Sequence, residues 1–328
     1  MADHAISDDE AVQAALDRLA TLSPGRDILG LERITTLLDR LGNPERHPPP
    51  VFHVAGTNGK GSTCAFLRAM LEAEGHIVHA YTSPHLVRFN ERIRLAGHLV
   101  EDAKLAATLH RVMDVASDLS ASFFEVTTAA ALLLFAETPA DACVIEVGLG
   151  GRLDATNVLQ RPLVCGIAAL GIDHEAFLLA PEAGTPDEPL CRIAFEKAGI
   201  AKPGVPLVTM AYPPDVARTI AEAALHAGAP VVAQGGDWSM ESGGESSLLY
   251  SDRYGHLALP RPGMVGQHQI GNAGLAVAML RQQVVLPVSP AAMASGVRLA
   301  RWPARMQQLP PGALTQRLPS GSTLWLDG

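Results

Sequence analysis

Apolar positions along the chain follow two rhythms, and the rhythms alternate. Phe66, Ala69, Met70 and Ala73 recur at the three- and four-residue spacing of one helix face. Residues 51–54 (VFHV), 77–81, 142–147 and 163–169 are instead short, nearly unbroken runs of apolar and β-branched residues, the pattern of strands buried on both faces. Helices are expected over 9–22, 30–41, 102–119, 125–137, 214–227, 271–281 and 290–299, and short strands over 205–209 and 231–233. Ser23-Pro24-Gly25 separates the first two helices, and residues 43–50 form a proline-rich connector. Residues 235–260, rich in Gly and Ser with a turn at Tyr254-Gly255, predict a small β excursion, and residues 324–326 start one more strand. Strands alternating with helices predict an α/β fold: a mainly parallel sheet with helices on both faces.

Composition narrows the partners. With 34 acidic and 25 basic residues among 328, the net charge is −9, so there is no basic footprint for nucleic acid or an anionic membrane. A small molecule whose phosphates meet local positive charge fits better. The four cysteines are far apart and form no C-x-x-C pair, and they are expected to be reduced core thiols. The first ten residues carry four acids and no apolar segment, which argues against a signal peptide, and the longest apolar run, 129–136, is too short to span a bilayer. These features predict a soluble cytoplasmic protein.

Candidate chemistry gathers at the ends of the predicted strands, where ligands bind in open parallel sheets. After 51–54 comes Ala55-Gly56-Thr57-Asn58-Gly59-Lys60-Gly61-Ser62, then a helix. Glycines let backbone N–H groups approach a polyphosphate, and the helix start adds partial positive charge. Lys60 would reach the β- and γ-phosphates, and Ser62 or Thr63 would hold Mg2+. Gly61 interrupts the usual step from lysine to hydroxyl. An ordinary glycine turn is the competing reading; a lysine amid three glycines at a helix start argues for phosphate. The next strand ends offer Ser83 and His85, then Glu146 within the apolar VIEV, then Asp173 and His174. A carboxylate in a buried strand is costly unless paired or metal-bound. Oxygens from Ser62, Ser83 and Glu146 suit Mg2+. For His174 a metal ligand and a hydrogen-bonded loop histidine are both open on residue chemistry alone, and His85 is read as a cap for the segment after it.

Five motifs in order, GTNGKGS (56–62), TSPHLVRFNERIR (82–94), EVGLGGRLDATN (146–157), LGIDH (170–174) and EKAGI (196–200), resemble folylpolyglutamate synthase and dihydrofolate synthase, of the Mur ligase superfamily, over roughly residues 28–328. The resemblance implies a P-loop NTPase-like fold, that of a Mur ligase central domain, over 1–300. It also implies an ATP- and Mg2+-dependent enzyme, catalysed through Lys60, Glu146, His174 and Lys197. Such an enzyme joins L-glutamate to dihydropteroate or a folate through an acyl phosphate, releasing ADP and phosphate. It implies roles by position. Thr57, Asn58, Gly59, Lys60, Gly61 and Ser62 bind the ATP phosphates; Asn272 meets adenine; Arg305 and Asp327 contact the nucleotide. Ser62, Ser83, Glu146 and His174 ligate Mg2+. Asp27, Ile28, Leu29, Gly30, Ser122, Phe123, Phe124, Glu125, Leu153, Asp154 and Ala155 line the pterin site. Residues 83–94 form a mobile loop whose Arg88, Arg92 and Arg94 attract an anionic substrate. Lys197 is carried as a carbamate. The enzyme would act as a monomer on small molecules only.

Two departures bear on this. The segment from His174 to Lys197 is several residues longer than the family pattern. Residues 301–328 are expected to be a linker and the first strand of a truncated Rossmann-like domain that supplies the glutamate site. Leu324, Trp325 and Leu326 would then be frayed or packed on the first domain, which would keep Asp327 from the nucleotide. Two alternatives remain. A cell-wall Mur ligase shares the loop, but only 55 residues precede Gly56, too few for its UDP-binding domain. The other is a nucleotide-binding fragment without ligase activity.

Overall fold

The structure is a computed structural model that describes residues 5–22, 29–244, 246–319 and 321–327. The Ser23-Pro24-Gly25 breaker, Asp27, Ile28 and Gly328 lie outside the described residues. Strands Val51–Ala55 (β1), Val78–Tyr81 (β2), Ile93–Leu95 (β3), His98–Leu99 (β4), Ala142–Glu146 (β5), Val164–Ile167 (β6), Leu207–Thr209 (β7) and Val231–Ala233 (β8) form one sheet in the order β4-β3-β2-β5-β1-β6-β7-β8. Pairing is parallel from β2 through to β8, and β3 and β4 add an antiparallel edge. Every residue of β1 and β5 is buried, as their unbroken apolar runs require.

The helices are Glu10–Leu22 (α1), Glu32–Arg40 (α2), Lys60–Glu74 (α3), Asp102–Ala116 (α4), Phe123–Glu137 (α5), Glu175–Leu178 (α6), Pro189–Ala198 (α7), Pro214–Ala227 (α8), His268–Arg281 (α9) and Pro290–Leu299 (α10). Alternation along the strands sorts side chains to opposite faces. Phe52, Val54 and Val144 join a core with α3, α9 and α10, while Val51, Cys143 and Ile145 join one with α1, α2, α4 and α5. Cys165, Ile167 and Leu207 meet α7 and α8. Residues 129–135 of that apolar run are buried within α5, and Ala136 is exposed. All four cysteines are free and buried. Among the described residues no helix is long and apolar enough to cross a membrane.

The excursion forms as expected. Trp238–Ser242 (β9), Ser247–Asp252 (β10) and Gly255–Pro260 (β11) make an antiparallel sheet with a tight turn between Asp252 and Gly255. Asp252 ties it to α9 by accepting from Arg281 Nε and Nη2 at 2.6 and 2.7 Å. Three expectations need correction. α5 starts two residues before 125, where Phe123 and Phe124 follow the Ser122 cap, and α9 starts three before 271, because its first turn opens on the polar His268 and Gln269. Residues 324–326 are not left without a partner: Gln307–Gln308 (β12) pairs antiparallel with Trp325–Leu326 (β13). That register carries Asp327 back to Met306, whose N–H it accepts at 3.0 Å.

Candidate active site

The carboxyl ends of β1, β2, β5 and β6 open into one cavity of about 680 Å3. Register puts Glu146 beside Val54 on neighbouring strands, so the buried carboxylate stands next to the loop that follows β1. The loop is tied down by its own backbone: Thr57 and Asn58 N–H donate to Ala169 O, and Thr57 Oγ1 donates to Gly171 O at 2.8 Å. Gly59 adopts φ +81 as the residue preceding α3, and a β-carbon there would stand 2.3 Å from Asn272 Oδ1. Only glycine meets both demands. No side chain caps α3. Its first N–H groups therefore face the cavity without an intrahelical partner, which is the arrangement that receives an anion. Lys60 Nζ folds back on Thr57 O at 3.2 Å.

Glu146 is 4 % exposed, and its Oε2 accepts from Ser83 N–H at 3.3 Å. Burial pushes its pKa up to about 7, against the opposing pull of Lys60, Arg305 and Arg92. Such a carboxylate asks for a cation. Ser62 Oγ is buried nearby and accepts from Gln269 Nε2 at 3.3 Å. Among the described residues no group of three His, Cys, Asp or Glu is placed to hold a metal. The donor set on offer is one carboxylate, the Ser62 and Ser83 hydroxyls and the His174 ring, all on the cavity wall. Hard oxygens with room for waters fit Mg2+ rather than a thiophilic metal. His174 has φ +51, and its ring lies 3.5 Å from the Asp173 carboxylate.

The same cavity is lined by Leu29, Gly30, Ser122, Phe123, Phe124, Glu125, Leu153, Asp154 and Ala155. Ser122 and Glu125 cap α5 reciprocally: Ser122 N–H donates to Glu125 Oε2 at 2.7 Å, and Glu125 N–H donates to Ser122 Oγ at 3.2 Å. Arg33 Nε also donates to Glu125 Oε2, whereas Oε1 is buried with no hydrogen-bond partner among the described residues. Asp154 is filled differently. It accepts from Thr156 N and Oγ1 at Oδ1, from Leu149 N at Oδ2, and from Gly148 N. Four donors exhaust a carboxylate, so Asp154, on the cavity wall, is committed to shaping its loop.

Asn272, Arg305 and Asp327 also line the cavity. Lys197 does not: it sits behind Gly151, whose β-carbon would stand 2.9 Å from Lys197 Cα. Burial, aided by the charge of Lys60, lowers its pKa to about 7. The segment between His174 and Lys197 is clasped: Glu182 accepts from Arg152 and Arg192 at 2.5 and 2.9 Å, and both arginines pair with Glu196. Residues 83–94 are also more tightly held than a free loop. Glu91 accepts from the N–H groups of Leu86, Val87 and Arg88, so His85 is not their cap and instead accepts from Arg92 Nε at 3.0 Å. Arg88 is paired with Asp102 and Arg94 is bonded to Gly97 O, leaving Arg92 as the member of the trio on the cavity wall. Several wall residues escaped the sequence reading: Phe177, His268, Gln269 and Met306. Gln269 lies three residues before Asn272 on one helix face, a spacing that marks it. No comparable signal marks Phe177.

No protein-family model matches the chain. It is 36% identical over 302 residues to the dihydrofolate synthase/folylpolyglutamate synthase of Bacillus subtilis (strain 168), covering 86% of this chain and 67% of that one. The chain belongs to the folylpolyglutamate synthase/dihydrofolate synthase family. Within the family it is 38% identical over 280 residues to the enzyme of Escherichia coli (strain K12), covering 85% of this chain and 62% of that one. It thus spans about two thirds of the length of the curated relatives it matches. The E. coli FolC structure in complex with DHPP and ADP superposes with a TM-score of 0.82 at 36% identity, covering 91% of this chain and 68% of that one. A crystal structure of a bifunctional family member with Mn, AMPPNP and L-glutamate bound gives 0.79 at 32% identity, covering 98% and 72%. The α/β architecture with its mainly parallel sheet is that of these family folds.

Proposed function

We propose that this chain binds Mg·ATP and a pteroate- or folate-type carboxylate in the one cavity and activates that carboxylate for ligation to L-glutamate. Residues 1–300 would be the ATP-binding unit, and 301–328 a linker and the first strand of a glutamate-binding domain. The protein would work as a cytoplasmic monomer. The observation that carries the reading is convergence: the uncapped start of α3, the buried Glu146 and the Ser122–Glu125 cap open into the same space. The ADP and DHPP of the E. coli FolC structure, and the Mn, AMPPNP and L-glutamate of the other family member, support it.

In this reading Thr57 to Ser62 cradle the phosphates with backbone N–H groups, Lys60 swings from Thr57 O to the β- and γ-phosphates, and Asn272, Arg305 and Asp327 meet the rest of the nucleotide. Ser62, Ser83, Glu146 and His174 would hold Mg2+, which when bound neutralises charge on the phosphates. Leu29, Gly30, Ser122, Phe123, Phe124, Leu153 and Ala155 enclose the pterin, and the unpartnered Glu125 Oε1 accepts from one of its N–H groups. The substrate carboxylate oxygen forms a bond to the γ-phosphorus as the bond to ADP breaks. The amine nitrogen of glutamate then bonds to the acyl carbon, phosphate leaves, and the amine gives up a proton. The cavity supplies alignment and charge, the main demands of phosphoryl transfer. Lys197 would be carried as a carbamate. The test is ADP release with L-glutamate plus dihydropteroate or tetrahydrofolate. Substrate-dependent release is expected. Release that ignores both acyl substrates overturns the reading.

A further inference from the structure

Gly61 stands where the common phosphate-loop pattern has none, and its backbone does not ask for glycine. It lies in the first turn of α3 and is not among the residues with positive φ. The reason lies some 240 residues away along the chain. A β-carbon on Gly61 would stand 2.7 Å from both Cε2 and Cζ2 of Trp302 and 3.0 Å from its Nε1. The indole edge therefore rests on the bare backbone of the phosphate loop. It has little freedom to retreat, because Trp302 packs against the core shared by α3, α9 and α10.

Beyond Trp302 the chain kinks twice. Ala304 has φ +52 and Met306 has φ +45, left-handed values uncommon in residues with a β-carbon. Arg305 sits between the two kinks and lines the cavity. Met306 N–H is anchored on Asp327 at 3.0 Å. A segment this bent holds its arginine in place only if something fixes where it starts.

We propose that Trp302, seated on Gly61, registers residues 301–306 against the phosphate loop and so delivers Arg305 to the nucleotide. Trp302 is a positioning residue acting through Arg305, and Gly61 is bare to receive it. The inference rests on the nucleotide reading of the cavity. The rival account, that Gly61 is bare only so that phosphate can approach, makes a different prediction for the double variant below.

The experiment uses the full chain labelled with 5-fluorotryptophan, its Trp302 resonance assigned by Trp302→Phe, together with calorimetric titration of Mg·ATP. Gly61→Ala is expected to shift the Trp302 resonance and to weaken binding about 10-fold, within the coupling range of residues in contact. Gly61→Ala with Trp302→Ala should bind within about 2-fold of Trp302→Ala alone, since the clash is gone. Trp302→Ala should weaken binding, and adding it to Arg305→Ala should cost nothing more. An unmoved Trp302 resonance in Gly61→Ala overturns the proposal. So does a double variant as weak as the two losses added, which is the rival's outcome. A wild-type chain that binds no Mg·ATP overturns the nucleotide reading instead, and the resonance arm still decides whether the seat exists.

Discussion

Two helices begin at the walls of the same cavity, and they begin in opposite ways. α3 starts at a left-handed glycine with no side-chain cap, so its N–H groups and partial positive charge face the space. α5 starts at Ser122, whose N–H donates to the Glu125 carboxylate while its hydroxyl accepts from the Glu125 N–H. The same element is therefore turned to opposite chemistry by its first four residues. The open end suits phosphate. The closed end presents a carboxylate oxygen, Glu125 Oε1, that suits a ligand with N–H donors. In the proposed reading, these two helix starts would sort a polyphosphate from a pterin.

The largest break in this comparison comes at the open end. Lys60→Ala, or Glu146→Ala beside it, removes a charge contact to the transferring phosphoryl group and should lower substrate-dependent ADP release by about 100-fold or more. Near-normal release in either variant removes that residue from the site. Next comes Lys197, which lies behind the same end. Its neighbours in charge are Lys60, Asp173, Asp154 and Glu196, and with burial dominant its pKa lies at about 7. Only the neutral amine reacts with CO2, forming an N–C bond and releasing a proton. The carbamate should therefore grow as pH rises through 7 and fade below it. A carbamate carbon signal under labelled bicarbonate, lost in Lys197→Met together with about 10- to 100-fold of activity, is the expected result. No signal at pH 8 sinks the assignment.

At the closed end the effects are smaller and should fall on the other substrate. Glu125→Gln keeps the shape but weakens the reciprocal cap and the acceptor at Oε1. Losing one hydrogen bond to a charged group corresponds to about 10-fold weaker dihydropteroate binding, with Mg·ATP affinity unchanged. A loss shared by both ligands would mean that the two ends are not chemically separate.

The open end was the more legible of the two in the sequence. Gly59, Lys60 and Ser62 announce a phosphate loop locally, and Glu146 is conspicuous as a lone acid in an apolar strand. Parallel strand ends then imply that these residues meet. The closed end was legible only through family motifs, because Ser122 and Glu125 form a capping pattern that many helices share. What escaped was contact across long stretches of chain. Trp302 against Gly61, Phe177 on the cavity wall and Gln269 on Ser62 depend on how distant elements pack, which apolar rhythm does not encode. The turn of β12 onto β13 escaped for the same reason: a two-residue pairing leaves no periodic trace, so fraying of residues 324–326 argued Asp327 away from the cavity that it lines, against the family match that placed it there.

The smallest effect gives the sharpest reading of the comparison. Ser122→Ala removes the hydroxyl that accepts from Glu125 N–H at 3.2 Å but leaves the Glu125 carboxylate on Ser122 N–H and on Arg33. One cap bond of this kind is worth about 1 kcal/mol. The helix should stay in place, because α5 is buried along nearly its whole length and packing holds it more firmly than its cap does. Denaturant unfolding should therefore show a stability loss of about 1 kcal/mol with an unchanged slope, and dihydropteroate affinity should move less than in Glu125→Gln. If instead Ser122→Ala costs as much dihydropteroate affinity as Glu125→Gln with no loss of stability, the hydroxyl itself touches the ligand. The closed end would then be a binding surface rather than a capped helix that happens to offer one oxygen.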